Sequence, residues 1–261
     1  MRMRPLLLVV PLLSGCAGLL PGGGDDGRTG TAPASQRLVP LGQGSAPNGF
    51  HEYLPPGLDD GRARPLLVFW HGVGENGDGT TELSRVLANG PPMLISSGRW
   101  PEARPFIVLS PQHVGGGCPS AAEVHAFIGW AASAYDVDPR RIFLTGLSCG
   151  AIGAWSYLGT YTGSEVAAAV LIAGDPGGAW GRSGCALGQV AIWAFHGDAD
   201  GTVGIANERT AMANLAACPS PPARDSVWTE IPGGGHGIWP GIYDGTAAPD
   251  VYAWMLAHPK P

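Results

Sequence analysis

Ser148 stands in Gly146-Leu147-Ser148-Cys149-Gly150, with the apolar run Ile142 to Thr145 before it and a helix-forming run from Ala151 to about Tyr161 after it. A serine hydroxyl is a weak nucleophile until a neighbouring base takes its proton. A strand, a sharp turn at the serine and a helix would expose that hydroxyl. Gly146 and Gly150 would let strand and helix pass close together, and the helix N-terminus would favour negative charge developing beside the serine. A base is available downstream in Gly233-Gly234-Gly235-His236-Gly237, and an acid to orient it in His196-Gly197-Asp198-Ala199-Asp200. Such a set performs attack on a carbonyl carbon: serine adds, histidine carries the proton to the leaving group, and the carboxylate fixes the imidazole tautomer.

Residue type alone leaves both Asp198 and Asp200 as the acid. Asp198 could instead close a turn through its own side chain. His71 and His196 each precede a glycine at the end of an apolar run, and we read both as loop-fixing hydrogen-bond formers. The negative charge of an attacked carbonyl needs two backbone donors. One is the amide of Cys149, directly after the nucleophile. The other belongs in His71-Gly72-Val73-Gly74-Glu75, where Val73 is the first choice and Gly74 the second. No Gly-Lys-Ser or Gly-Lys-Thr ending follows that glycine-rich stretch, so it is not a phosphate cradle.

These residues need a scaffold that gathers distant chain segments. Short apolar runs at Gln36 to Leu41, Phe50 to Leu54, Pro65 to Trp70, Phe106 to Ser110, Ile142 to Thr145, Glu165 to Gly174, Val190 to Phe195 and Ser226 to Ile231 read as strands. Continuous apolar character marks strands covered on both faces. Helices are expected at Ala121 to Tyr135, with Val124, Phe127, Ile128 and Ala131 inward, and at Asn207 to Ala217 and Pro249 to His258. Thr81 to Ile95 carries weak helical spacing, broken by Gly90, Pro91 and Pro92. Alternating strands and helices imply a mostly parallel sheet of about eight strands flanked by helices, an α/β architecture in one domain. Ser148, Asp200 and His236 all follow strands, so one edge of the sheet would collect them. Asp175 to Gln189 is mostly glycine and small residues, too short for a helical cap, so the site should be open. Trp155, Trp180 and Trp239 are candidates to line it, Trp155 more as core and Trp239 first among them.

Composition narrows the class. The 261 residues include 42 Gly and 25 Pro, a share that suggests disorder, but 44% are hydrophobic and fall in discrete runs. A net charge of -6 with 14% charged residues leaves no basic face for nucleic acid. Residues 1–16 read as an export signal: Arg2 and Arg4, then the apolar stretch Pro5 to Leu13, too short to span a bilayer, then Leu13-Ser14-Gly15-Cys16. That ending resembles a bacterial lipobox, which implies lipidation at Cys16 and attachment of the exported protein to a membrane. Residues 17–35 read as a flexible tether and 36–261 as the catalytic domain.

Four further cysteines, Cys118, Cys149, Cys185 and Cys218, make an even set in an exported chain and suggest disulfides. None has the spacing of a metal site, and no cofactor is expected. Cys185 precedes a strand and Cys218 ends a helix, which places both at the edge away from the site. Cys118 follows a strand and Cys149 sits at the serine turn, which places both at the site edge. The pairing expected is therefore Cys185–Cys218 and Cys118–Cys149.

From Phe50 to His258 the sequence resembles secreted α/β-hydrolases of the group that includes polyhydroxybutyrate depolymerase-like esterases, feruloyl and acetylxylan esterases, and related predicted peptidases. The resemblance rests on His71-Gly72-Val73-Gly74-Glu75, Ser110-Pro111-Gln112, Val137-Asp138-Pro139-Arg140-Arg141-Ile142, Gly146 to Gly150, His196-Gly197 with Asp200, and His236 with Trp239. It implies the α/β-hydrolase fold without a cap domain and favours Asp200 as the acid. It implies a serine esterase; the open site suits small or polymer-bound esters, and Trp239 and Gln112 are the substrate contacts expected. A serine peptidase on the same fold and a non-catalytic cell-surface binding lipoprotein are the other classes considered.

Overall fold

The computed structural model describes residues 32–261, so the signal segment, Cys16 and most of the tether lie outside the described residues. Eight strands form one sheet: β1 (Ser35–Val39), β2 (Phe50–Leu54), β3 (Arg64–Trp70), β4 (Ile107–Pro111), β5 (Val137–Leu147), β6 (Ala168–Ile172), β7 (Ala191–Gly197) and β8 (Ser226–Ile231). Their spatial order is β1-β2-β4-β3-β5-β6-β7-β8. β2 runs antiparallel to both neighbours, and all other pairings are parallel. The C-terminal ends of β3, β5, β6, β7 and β8 therefore share one edge, here called the upper edge.

Among the described residues seven α-helices complete the fold: α1 (Gly90–Ser96), α2 (Ala121–Ala134), α3 (Cys149–Thr160), α4 (Gly177–Ser183), α5 (Ala206–Ala216), α6 (Trp239–Tyr243) and α7 (Val251–Leu256). The strands feed two cores by their period of two. Leu66, Val68 and Trp70 of β3 pack with Leu109, Ile142, Leu144, Ala169, Leu171 and Ile192 beneath α2, α3, α4 and α5. Leu67 and Phe69 face the other way and pack with Val108, Phe143, Val170 and Phe195 against α1, α6 and α7. Each fully buried Leu, Val or Phe contributes about 1.5–3 kcal/mol, so the paired cores make the sheet a rigid base for its upper edge.

Thr81 to Ile95 is helical in two pieces. A 3-10 turn (Leu83–Ala88) stops at the extended Asn89, and Gly90, Pro91 and Pro92 then begin α1, with proline at its first positions, where a missing N–H leaves no acceptor unserved. Residues 175–189, too short for a helical cap, hold the short helix α4 and a 3-10 turn (Gly184–Gln189). α4 lies on the far half of α3, and a Cβ built on Gly159 would fall 2.5 Å from Ala179 Cα.

Candidate active site

β5 passes directly into α3 with only Ser148 between them. Ser148 has φ 49° and ψ -120°, a conformation costing a non-glycine residue about 1–3 kcal/mol. Hydrogen bonds hold it there. The Ser148 amide donates to the Ile172 carbonyl at 2.9 Å, and the Ser148 carbonyl accepts from the Ile152 amide at 2.9 Å. The glycines act as expected. A Cβ on Gly146 would lie 2.7 Å from Gly150 C, and one on Gly150 would lie 2.1 Å from the Trp70 carbonyl oxygen. Gly150 thus allows the end of β3 to sit against the serine turn.

His236 Nε2 lies 2.8 Å from Ser148 Oγ, and His236 Nδ1 lies 2.7 Å from Asp200 Oδ2. The aspartate side chain is 0% exposed and the histidine 20% exposed. Asp200 Oδ1 accepts from the amides of Thr202 at 2.8 Å and Val203 at 3.0 Å. Burial alone would raise the Asp200 carboxyl, but donation by His236 and by these two amides outweighs it and holds the carboxyl below its ordinary value. Asp198 does not close its own turn. Its carboxylate accepts from the Gly233 amide at 2.7 Å, tying the β7 loop to the loop that carries His236. A Cβ on Gly197 would lie 2.1 Å from the Gly234 carbonyl oxygen, so these loops touch through bare backbone.

The Cys149 amide is the first of α3, with no acceptor inside its own helix. Opposite it, Val73 opens a 3-10 turn (Val73–Glu75) after β3 and is 54% exposed. A Cβ built on Gly72 would lie 3.7 Å from Ser148 Cβ, so this loop rests on the nucleophile. His71 orients it. Its Nε2 accepts from the His113 amide at 3.0 Å, so its proton is on Nδ1, 2.7 Å from the Gly72 carbonyl oxygen. With that carbonyl fixed, a planar peptide turns the Val73 N–H the opposite way. Burial pushes His71 down to about 4, which keeps it neutral in this role.

Trp239 packs edge-on to His236 at 5.3 Å between ring centroids. Its indole N–H donates to Asn89 Oδ1 at 2.9 Å, and Asn89 Nδ2 donates to Glu75 Oε1 at 2.5 Å. Gln112 is not placed as a substrate contact. It is 0% exposed, accepts from the Gly79 amide at 2.8 Å, and donates to the carbonyls of Glu75 at 3.0 Å and Glu82 at 2.9 Å. A Cβ on Gly77 would lie 2.5 Å from Gln112 Nε2, so the glycine admits the amide into the loop instead. Trp155 is core, and Trp180 packs on the α2–α5 side of the sheet. Sequence reasoning missed Asn89, for which no local signal exists because its partner Trp239 is 150 positions away. It also missed Glu208, for which a signal does exist: a carboxylate in helical register with the buried Ala211, Met212 and Leu215. Among the described residues no cluster of three or more metal-ligating side chains occurs.

No family model matches the sequence, and no protein of curated function does. Solved structures do match. A thermostable esterase superposes with TM-score 0.59 and 23% identity over 87% of this chain, which spans 63% of that protein's length. An acetyl xylan esterase from Aspergillus awamori gives 0.56 and 20% over 82% of this chain and 100% of its own. The feruloyl esterase module of Clostridium thermocellum, in complex with sinapinate, gives 0.54 and 20% over 85% of this chain and 89% of its own. Together with the order and direction of the eight strands, these likenesses establish that the chain has the α/β-hydrolase fold.

Proposed function

We propose that the protein is a serine hydrolase that cleaves carboxylic esters through an acyl-enzyme. The observation that carries this is the continuous path Ser148 Oγ to His236 Nε2 at 2.8 Å and His236 Nδ1 to Asp200 Oδ2 at 2.7 Å. Ser148 Oγ adds to the ester carbonyl while His236 Nε2 takes its proton. The amides of Cys149 and Val73 donate to the oxyanion. The tetrahedral adduct then expels the alkoxide, which receives the proton from His236 and departs as the alcohol. Water enters, gives a proton to His236 and adds to the acyl carbon. Ser148 leaves with that proton, and the carboxylic acid is released.

Three features favour esters over peptides. An alcohol needs less protonation on departure than an amine does. Glu75, the acid nearest the oxyanion loop, is 8% exposed and held by Asn89, which leaves it poorly suited to bind a peptide amino terminus. α4 rests on the far half of α3 rather than over Ser148, which suits bulky or polymer-bound esters. Trp239, beside His236, is the proposed substrate contact.

The lipobox at Cys16 and the two disulfides support an exported protein anchored to a bacterial membrane by lipid. Among the described residues no helix is long and apolar enough to cross a membrane. A fluorophosphonate should label Ser148, and p-nitrophenyl acetate or butyrate should turn over faster than long-chain esters, with unblocked peptides inert. Peptide turnover equal to ester turnover would transfer the assignment to a peptidase. Absence of labelling and turnover would return it to a binding lipoprotein.

A further inference from the structure

Behind Asp200 lies a buried pair that takes no part in the acyl-transfer steps. His196, near the end of β7, and Glu208, in the first turn of α5, are both 0% exposed. His196 Nδ1 is 2.5 Å from Glu208 Oε2. Glu208 Oε1 accepts from the Trp155 indole N–H at 2.9 Å. On its other side, His196 Nε2 donates to the Val203 carbonyl oxygen at 3.0 Å and lies 3.1 Å from Asp200 Oδ2 as a charge contact. That is the same carboxylate oxygen that His236 reaches.

A carbonyl and an ionised carboxylate only accept, so His196 Nε2 must carry a hydrogen. One further proton is then shared between His196 Nδ1 and Glu208. The pair is either imidazolium with carboxylate or neutral imidazole with carboxylic acid. Both arrangements have zero net charge, and both present the same N–H to the Val203 carbonyl beside Asp200. Burial favours retention of the shared proton by pushing Glu208 up to about 7. Burial alone would lower His196, but its bond to Glu208 and the charge of that group outweigh this and raise it. The other charged groups facing the pair are Asp175, from the loop after β6, and Glu230 of β8, which is ion-paired with Arg209 at 2.6 Å. Both are acids, so neither competes with His196 as a donor to the Val203 carbonyl.

We infer that His196 and Glu208 are positioning residues, a one-proton pair whose fixed Nε2–H holds the Val203 carbonyl and sets its positive end beside the Asp200 oxygen that orients His236. With Val203 anchored in this way, the Thr202 and Val203 amides hold Asp200 Oδ1, and Asp200 cannot rotate away from His236 without leaving those amides unmet. The inference rests on the serine-hydrolase reading of Ser148, His236 and Asp200.

The test compares His196→Leu with Glu208→Gln, using p-nitrophenyl acetate turnover per site titrated with fluorophosphonate. His196→Leu removes the donor. Its kcat falls about tenfold to a hundredfold with KM little changed, the scale of a small misplacement. The acid limb of kcat/KM moves up by about half a pH unit or more, because Asp200 without the positive end of that N–H beside it holds protonated His236 more tightly. In Glu208→Gln the amide donates to Nδ1 of a neutral His196 and accepts from Trp155, so Nε2–H persists. Turnover and acid limb then stay within about twofold of the parent and about 0.2 pH unit, respectively. Equal loss in both variants, or an unmoved acid limb in His196→Leu, overturns the inference.

Should His196→Leu not fold, 15N-histidine spectra of the unaltered protein decide. His196 Nε2 is expected to remain protonated from about pH 5 to about pH 8, and an unprotonated Nε2 in that range overturns the proposal. If the parent protein neither labels nor turns over ester, the serine-hydrolase reading fails, while the spectra still report the pair separately.

Discussion

The two disulfides are a matched pair in the chain and an unmatched pair in the structure. Cys118–Cys149 spans 31 positions and Cys185–Cys218 spans 33. Loop entropy alone assigns each roughly 3–4 kcal/mol of stabilisation. Cys185–Cys218 joins the segment before β7 to the end of α5 at the lower edge, against the α2–α5 core. Cys118–Cys149 sits at the upper edge, one residue from the nucleophile. Its Cys118 end belongs to a glycine-rich loop whose Gly115 and Gly117 carbonyls each accept from Asn76 Nδ2 at 3.0 Å. Asn76 caps the 3-10 turn that Val73 opens. The upper disulfide therefore ties the turn that supplies the Cys149 amide, through the Gly115–Gly117 loop and Asn76, to the loop that supplies Val73, while the lower one connects parts of the scaffold. Equal chain entropy can thus accompany unequal consequences for chemistry.

That contrast requires the chemistry to be at the upper edge at all, and the largest expected effect tests this. Ser148→Ala should reduce ester turnover by about four orders of magnitude or more, with the unfolding midpoint close to that of the parent, because alanine keeps a Cβ and so the same backbone strain. Turnover retained within a factor of about ten would move the nucleophile elsewhere and remove the functional contrast between the disulfides.

The next effect separates the disulfides directly. Replacing Cys118 and Cys149 together by alanine should lower kcat by about tenfold with little change in KM, because the donors loosen but are not removed. The same protein should lose roughly 3–4 kcal/mol of stability. Replacing Cys185 and Cys218 together should cost a similar stability, about 6–16 °C in unfolding midpoint for a domain of this size, and leave kcat at 25 °C unchanged. Equal kcat values for the two double variants would show both bridges to be staples of the scaffold only.

How much of this was legible in the chain follows the same division. Phe50–Leu54 and Ser226–Ile231 fall where the short apolar runs placed them, and the inward face of α2 is the expected Val124, Phe127, Ile128 and Ala131. These are local signals, repeated along each element. The order Ser148, Asp200, His236 was legible because parallel strands deliver their ends to one edge whatever the loops do. The role of Gln112 was not. A polar residue just past a strand end at the site edge looks like a contact for substrate, and only the cleft left by Gly77 shows that the amide turns into the loop. α4 was illegible for a related reason: its glycines carry no helical signal, and it is held by packing on α3. Glu208 was visible as an anomaly, a carboxylate in a buried register, but its partner His196 could be identified only from the fold.

The smallest expected effect sharpens the contrast between upper edge and scaffold with pH instead of a bond. His71 at the upper edge and His51 in β2 are both buried, and burial pushes each down to about 4. A histidine whose folded value lies below its ordinary value near 6.5 binds fewer protons when native than when unfolded. Its full stability is therefore present above about pH 6.5 and is lost as pH falls toward 4, by up to about 3 kcal/mol for each group. Among the described residues His51 Nδ1 has no partner, and its Nε2 meets only the Gln36 amide at 3.2 Å. Charging His51 should therefore weaken the sheet edge without reaching the site. Charging His71 places a hydrogen on Nε2, opposes the His113 amide and releases the loop that carries Val73. In His51→Leu the unfolding midpoint should fall less between about pH 7 and about pH 4.5 than in the parent, while reversible loss of turnover over that range is unchanged. If the midpoint falls as steeply in the variant as in the parent, burial of a neutral His51 is not a source of acid sensitivity. If turnover becomes acid-resistant as well, the two edges are coupled, and the separation drawn from the disulfides does not extend to protons.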